Sequence, residues 1–312
     1  MAPTILVAGA TGNTGPSVVE TLSSLINNTT FSGHRILATT RSSTGYVARR
    51  LASLPGVEVI EQNWAEITAE WLREQQVVRV FVAPHNGPSQ FAEESAFHLA
   101  ALHAGVDYVV RISTTACNVR PDHKAYYPRS HWAVEALLSS PEFLRLKWSS
   151  LQPNVFYPYV IGGAVELVKR VRGGGEQGTL RLMLDEDAPV GVVDASDVGS
   201  FAARLLLEED ASRHNGAKYV LNGPEDLTGA KLVKMVEEYI GEPVKDVVFR
   251  DISWVDDFVA NIVELKHVIG SLRHAPDLSW DGKASASTTS QVVLELHPPN
   301  ITAAQAFKTL LG

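Results

Sequence analysis

A short apolar run, Thr4–Ala8, leads directly into Gly9-Ala10-Thr11-Gly12-Asn13-Thr14-Gly15 and then into a helical segment, Pro16–Leu25. Strand, glycine turn and helix, in that order, constrain the fold more than any other feature of the chain. Glycines at these places permit a tight turn and let the backbone approach a bound pyrophosphate closely. The helix N-terminus then offers unpaired N–H groups and the positive end of its dipole. The same glycines could serve only to pack helix on strand, but the flanking strand and helix favour the anion cradle. Gly9, Thr11, Gly12, Asn13, Thr14 and Gly15 are therefore candidate phosphate contacts, with Asn13 and Thr14 adding side-chain donors.

The rhythm continues along the first half. Further strand candidates are Arg35–Thr40, Val57–Ile60, Val78–Ala83, Asp107–Ile112 and Trp148–Gln152, each separated from the next by a helix-length segment. Strands this uniformly apolar are buried on both faces, as in a parallel sheet with right-handed crossovers. Ser89–Ala104 reads as a helix with Phe91, Ser95, His98, Leu99 and Leu102 on one face, ending at Gly105. Pro128–Ser139 reads as another, with proline at its start. The expected fold class is α/β, a doubly wound parallel sheet of the Rossmann type over residues 1–155. Residues 156–312 are expected to form mainly a smaller, interleaved C-terminal substrate lobe, with segments about 190–222 returning to the first domain.

Composition narrows the class. The chain has 312 residues, 27 Lys plus Arg against 35 Asp plus Glu, and a formal net charge of −8. With no basic block longer than two residues, it is a poor nucleic-acid binder. No stretch approaches the roughly 18 apolar residues of a membrane helix. One cysteine, Cys117, excludes an internal disulfide and a multi-cysteine metal site, and the histidines show no zinc spacing. A cytoplasmic, non-membrane protein with a small-molecule ligand and no metal is the expectation, its oligomeric state unreadable.

The turn has the spacing G-x-x-G-x-x-G, and further stretches accompany it: Tyr108-Val-Val-Arg-Ile-Ser113, Leu151-Gln-Pro-Asn-Val-Phe156, Val192-Val-Asp-Ala-Ser-Asp-Val198 and Lys218-Tyr-Val-Leu-Asn-Gly-Pro224. Together they resemble the NmrA-like and isoflavone-reductase-like branch of the atypical short-chain dehydrogenases over about residues 4–250. That resemblance implies reduction of a C=C, C=N or C=O bond in a specialised metabolite. It also implies an alternative: a non-catalytic, dinucleotide-binding redox sensor acting through protein partners.

Cofactor choice follows from the second strand, where NAD(H) selectivity usually needs an acid beside the ribose hydroxyls. Residues 21–57 hold four arginines (Arg35, Arg41, Arg49 and Arg50) and no acid, so this window is +4 while the rest sums to −12. Arg41 and Ser42, at the strand end, can hold a ribose 2′-phosphate, so NADP(H) is expected over NAD(H). Other cofactor candidates lie at strand ends: Ala83, Pro84 and His85 after strand four, and Pro153 and Asn154 after strand six. Asn63, after strand three, stands where related proteins often put an Asp beside adenine.

Reductases of the broader superfamily use Tyr-x-x-x-Lys on a helix and a Ser at the end of strand five. Here Ser113 ends strand five and Tyr127 has His131, not lysine, four residues on. In one reading Tyr127, His131 and Ser113 form a proton relay. In a second, His131 only orients the cofactor ribose. In a third, Tyr127 packs and His131 caps a surface. Phe156, Tyr157, Trp254 and Phe258 are the candidate substrate-lining rings, suited to a cyclic or aromatic ligand.

Overall fold

A computed structural model describes residues 2–262 and 264–312. Seven parallel strands form the central sheet: β1 (Thr4–Ala8), β2 (Arg35–Thr40), β3 (Val57–Glu61), β4 (Val77–Val82), β5 (Tyr108–Ile112), β6 (Lys147–Pro153) and β8 (Ala217–Leu221). Their spatial order is β3-β2-β1-β4-β5-β6-β8. The chain runs outward from β1 to β3, then returns to lay β4 on the other side of β1. A crevice opens at that reversal, above the carboxyl ends of β1 and β4, where open α/β sheets bind ligands. The doubly wound parallel architecture is thus the one the strand–helix rhythm predicts.

Period-two alternation builds two layers on the sheet. Ile5 and Val7 of β1 pack with Val18 and Leu22 of α1 (Gly15–Leu25) and with Phe201 and Leu205 of α7 (Ala195–Leu206). Leu6 and Ala8 face the opposite layer, with Phe97 and Ala101 of α4 (Gln90–Ala104) and Val134 and Leu138 of α5 (Tyr126–Leu138). The short helices α2 (Tyr46–Ala52) and α3 (Ala69–Glu74) complete the windings. A third apolar cluster joins α6 (Tyr157–Arg172), α8 (Gly229–Ile240) and the helix Ala303–Leu311. The small parallel pair β7 (Leu180–Arg181) and β9 (Val247–Val248) lies beside it. Both α7 and β8 belong to the main sheet and its layers, although they follow α6 in the chain.

Two helices differ from their sequence reading in ways that matter for the site. α5 begins at Tyr126, two residues before Pro128, so the proline occupies the first turn, where its missing N–H costs no helical bond. That places Tyr126 and Tyr127 at the helix mouth. α4 ends at Gly105, in the left-handed conformation with φ 79°, but the face it buries is turned away from the predicted one and shares only His98 with it. Phe91 and Leu99 are exposed, while Gln90, Glu94, Phe97 and His98 are buried. The reason is the partner: α4 lies over Arg111 of β5, a fully buried guanidinium that requires polar company. His98, which both faces share, is part of that company through Glu94.

Among the described residues no helix is long and apolar enough to cross a membrane.

Candidate functional site

The glycine turn is fixed by contacts with its own backbone. Gly9 holds φ 85°, and a Cβ there would lie 3.2 Å from the Ala83 carbonyl oxygen. At Gly15 a Cβ would lie 2.3 Å from the Gly9 oxygen, so no side chain fits where α1 starts. Thr11 Oγ1 bonds Thr40 Oγ1 at 2.9 Å, tying the turn to β2. Above it opens a cleft of about 630 Å³, within the range of small-molecule sites. Gly9, Thr11, Gly12, Asn13 and Thr14 line its floor; Gly15 supports the turn from below.

The end of β2 supplies the cleft's cation. Arg41 is exposed, lines the cleft and pairs with no carboxylate among the described residues. Two other arginines of the acid-free window are committed, and Arg49 lies outside the cleft lining. Arg35 bonds Glu58 at 2.8 Å and Arg50 bonds Glu20 at 2.9 Å, using acids that flank the window in sequence. A further acid arrives from β3. Ser43 donates its backbone N–H and its hydroxyl to Glu61 Oε1 at 2.7 and 2.8 Å, which holds that carboxyl below its usual range. The positive window is therefore locally smaller than its sequence sum. Ser42 does not line the cleft; its hydroxyl shares a 3.0 Å bond with Thr44. Asn63 also needs correcting. Its Oδ1 caps the turn Trp64–Glu66 and its Nδ2 donates to Glu66, so its amide is spent locally. Gln62 and Trp64, which sequence reasoning did not select, line the cleft in its place.

Ala83, Pro84 and His85 line the middle of the cleft, together with Asn86, another residue missed from sequence. Pro153 and Asn154 line it from the end of β6. Asn154 is also a brace, because its Nδ2 donates to Asn222 Oδ1 and to the Ala284 carbonyl, both at 2.8 Å.

Ser113 and Tyr127 share one wall. Ser113 is buried and lines the cleft, yet its hydroxyl has no partner among the described residues. A buried, unpaired hydroxyl facing a cleft costs free energy until a ligand meets it. Tyr127 is half-buried beside Thr114 and Asn118. Burial raises its phenol pKa, against hydrogen bonding with those two side chains, so the phenol keeps its proton at neutral pH. Among the described residues no lysine lines the cleft.

His131 is not in the cleft, which corrects its placement at the ribose. The i, i+4 spacing instead sets its ring edge-to-face with Tyr127, centroids 6.3 Å apart. The imidazole is buried beneath Asn86 within a charged cluster. Arg111 donates to Glu94 Oε1 at 2.6 Å, to Ser150 Oγ at 2.9 Å and to His131 Nδ1 at 2.8 Å. Glu135 lies 3.6 Å from the same guanidinium and 3.1 Å from Lys218 Nζ. Two carboxylates and two cations balance. Burial and the Arg111 charge push His131 down to about 3, and burial lowers His98 as well. Neither can carry a proton at neutral pH.

This has a sign for stability. Below about pH 6.5 the unfolded chain protonates both histidines, while the fold keeps His131 neutral and holds His98 below its ordinary pKa. Unfolding then takes up protons, so stability falls as pH drops. The expected slope from His131 is about 1.4 kcal/mol per pH unit, and His98 adds to it in the same direction. Denaturant melts stepped from about pH 7 to 5 check it; a flat profile contradicts neutral burial.

The far wall is apolar: Phe156, Met183, Leu184, Val190, Trp254 and Trp280. Phe156 and Trp254 stand where sequence placed them. Tyr157 does not; it is buried in the third apolar cluster, its hydroxyl donating to the Ile301 carbonyl. Phe258, on α9 (Ser253–Ala260), is half-exposed and outside the lining. Trp280, fixed by its indole N–H on the Met183 carbonyl at 2.8 Å, was not readable, because the tail beyond residue 246 has weak periodicity. Among the described residues no Asp, Glu or Lys lines the cleft, whose lining also includes Arg41 after β2 and His85 after β4.

A model of the NmrA-like family matches residues 1–288. The chain belongs to the NmrA-like family. The match extends past residue 250, where the sequence resemblance fades, and takes in the tail that supplies Trp254 and Trp280. Among relatives of this NmrA-like chain, a (4-alkanoyl-5-oxo-2,5-dihydrofuran-3-yl)methyl phosphate reductase of Streptomyces griseus is 27% identical over 241 residues, 77% of this chain and 75% of the relative. An NADPH-dependent quinone oxidoreductase of Escherichia coli, complexed with NADPH, superposes with TM-score 0.73 at 18% identity, covering 99% of this chain and 100% of that one. The triphenylmethane reductase of Citrobacter sp., complexed with NADP(H), gives TM-score 0.71 at 20% identity, again with 99% and 100% coverage. At these identities the two structures share the fold.

Proposed function

We propose that the protein is an NADP(H)-dependent oxidoreductase that reduces a neutral, flat, unsaturated small molecule. The observation that carries this reading is one cleft joining three parts. A glycine cradle and helix N-terminus suit a pyrophosphate, Arg41 suits a 2′-phosphate, and an apolar indole-lined end lies beyond the unpaired Ser113 hydroxyl. The named activities of the relatives support the same reaction class.

The residues present fit the dinucleotide. Gly9, Gly12 and Thr14 would receive its pyrophosphate, Arg41 its 2′-phosphate, and Pro84 and His85 its middle. Bound NADPH supplies a hydride to an unsaturated carbon. Tyr127, protonated at neutral pH, donates the proton that balances it at the developing oxygen or nitrogen anion, and Ser113 Oγ donates a hydrogen bond to the same atom. His131 takes no part in that transfer, being neutral and enclosed. A phosphorylated substrate, of the kind named for the Streptomyces relative, would meet neither Lys nor Arg at the apolar end. That favours an uncharged substrate here, with Trp254, Trp280 and Phe156 stacking on its plane.

The absence of a lysine beside Tyr127 in the cleft favours a second reading, a dinucleotide-binding redox sensor that acts through protein partners. Tyr127→Phe and Ser113→Ala separate the two. In the enzyme, Tyr127→Phe lowers kcat by about a hundredfold, and Ser113→Ala lowers it about tenfold, with NADPH affinity within about twofold. Unchanged turnover in both variants moves the proton source elsewhere.

A further inference from the structure

Asn86 is held from two sides by α5. Its carbonyl oxygen accepts from the Tyr126 hydroxyl, and its side-chain Oδ1 lies 3.1 Å from His131 Nε2. The direction of the second bond can be deduced. His131 Nδ1 faces the Arg111 guanidinium at 2.8 Å, a group that can only donate, whereas the Gln90 amide nitrogen lies near both ring nitrogens, at 3.1 and 3.3 Å, and does not distinguish them. A ring nitrogen facing a guanidinium N–H is the acceptor, so the proton of the neutral imidazole sits on Nε2. Asn86 must therefore present its oxygen to the ring. Its Nδ2 group, with two N–H bonds, is left without a protein partner among the described residues, on a residue that lines the cleft. The register Val82↔Arg111 sets the ends of β4 and β5 side by side. Asn86 and Ser113 follow those two ends in the chain, and both line the cleft.

We propose that Asn86 binds ligand through Nδ2 and that His131 is its positioning residue, the target being a carbonyl oxygen in the middle of the cleft. The assignment rests on the oxidoreductase reading. It gives the buried Arg111–His131 pair a purpose that neither packing nor proton relay supplies: Arg111 fixes the tautomer, the tautomer fixes the amide, and the amide faces the ligand. Two carbonyl groups qualify, the carboxamide of the nicotinamide and a reducible carbonyl of the substrate. Both are uncharged acceptors suited to a neutral N–H donor.

The test compares wild type, Asn86→Ala, His131→Gln and His131→Leu by calorimetry with NADPH and with 2′-phospho-ADP-ribose, which lacks nicotinamide, and by turnover. Gln at 131 can accept from Arg111 and donate to Asn86; Leu can do neither. If the target is the carboxamide, Asn86→Ala and His131→Leu weaken NADPH about three- to tenfold. Binding of 2′-phospho-ADP-ribose stays unchanged and His131→Gln behaves as wild type. If the target is the substrate carbonyl, nucleotide binding is unchanged throughout, and turnover falls about tenfold in the same two variants. Asn86→Ala, on an exposed residue, keeps the test valid should His131→Leu fail to fold. Asn86→Ala matching wild type in binding and turnover overturns the assignment. His131→Leu matching wild type while Asn86→Ala does not overturns the positioning role. Wild-type protein that binds 2′-phospho-ADP-ribose but gains nothing from nicotinamide and shows no turnover overturns the oxidoreductase reading beneath both.

Discussion

Arg111→Met should be the most destabilising single change in the molecule, by about 3–5 kcal/mol. The guanidinium is fully buried and lies against Glu94, Glu135, Ser150 and His131. Burial alone would raise the Glu94 carboxyl, yet the Arg111 charge and the bonds from Arg111 and His98 hold it well below the usual range. Without Arg111 that carboxylate is left buried and unpaired, and His131 Nδ1 loses its strongest donor. Glu135 retains Lys218 and suffers less. Adding Glu94→Gln to Arg111→Met removes the stranded charge, so the double variant should be more stable than Arg111→Met alone. Denaturant unfolding measures both. A loss under about 1 kcal/mol for Arg111→Met, or a double variant worse than the single, contradicts the balanced-cluster account.

Arg41→Ala should weaken NADPH about tenfold and leave NADH nearly unchanged. A charge-assisted, bidentate contact to a phosphate could give more, but Arg41 is exposed and water screens it. Its value lies in being uncommitted. Arg35 and Arg50 already hold Glu58 and Glu20, and Arg49 does not line the cleft, so none of the three stands ready to take over its task. Calorimetry with both dinucleotides at two salt concentrations reads the effect, which shrinks as salt rises. Equal loss for NADPH and NADH would place Arg41 elsewhere than at the 2′-phosphate.

What was legible in the sequence was whatever depends on local pattern. The glycine turn, the strands and the Gly105 stop follow from apolar runs and backbone freedom, and they survive to within a residue or two. What was hidden depends on which partner arrives from far along the chain. The window 21–57 is acid-free in sequence, but folding brings Glu20, Glu58 and Glu61 to its arginines and serines. The face of α4 was misread because apolar periodicity assumes an apolar partner, whereas the partner is Arg111. An arginine in the middle of Tyr108-Val-Val-Arg-Ile was the available clue, since a charge inside a buried strand must be matched by acids on the helices over it. His131 was drawn to the active site by its spacing from Tyr127; the same cluster claims it instead. Asn63 capped its own turn and Tyr157 packed inward, and neither outcome has a marker in the residue type.

The central claim is hydride transfer from NADPH to an uncharged acceptor, and a single-turnover experiment tests it most directly. Protein saturated with NADPH is mixed with excess acceptor from a panel of neutral quinones, enones, imines and azo compounds, and the reduced-nicotinamide absorbance is followed. The account predicts that the absorbance of bound NADPH decays to completion with at least one planar, uncharged acceptor, with reduced product formed mole for mole. NADPH that binds tightly and keeps its full absorbance against the entire panel would contradict it and leave the redox sensor as the reading.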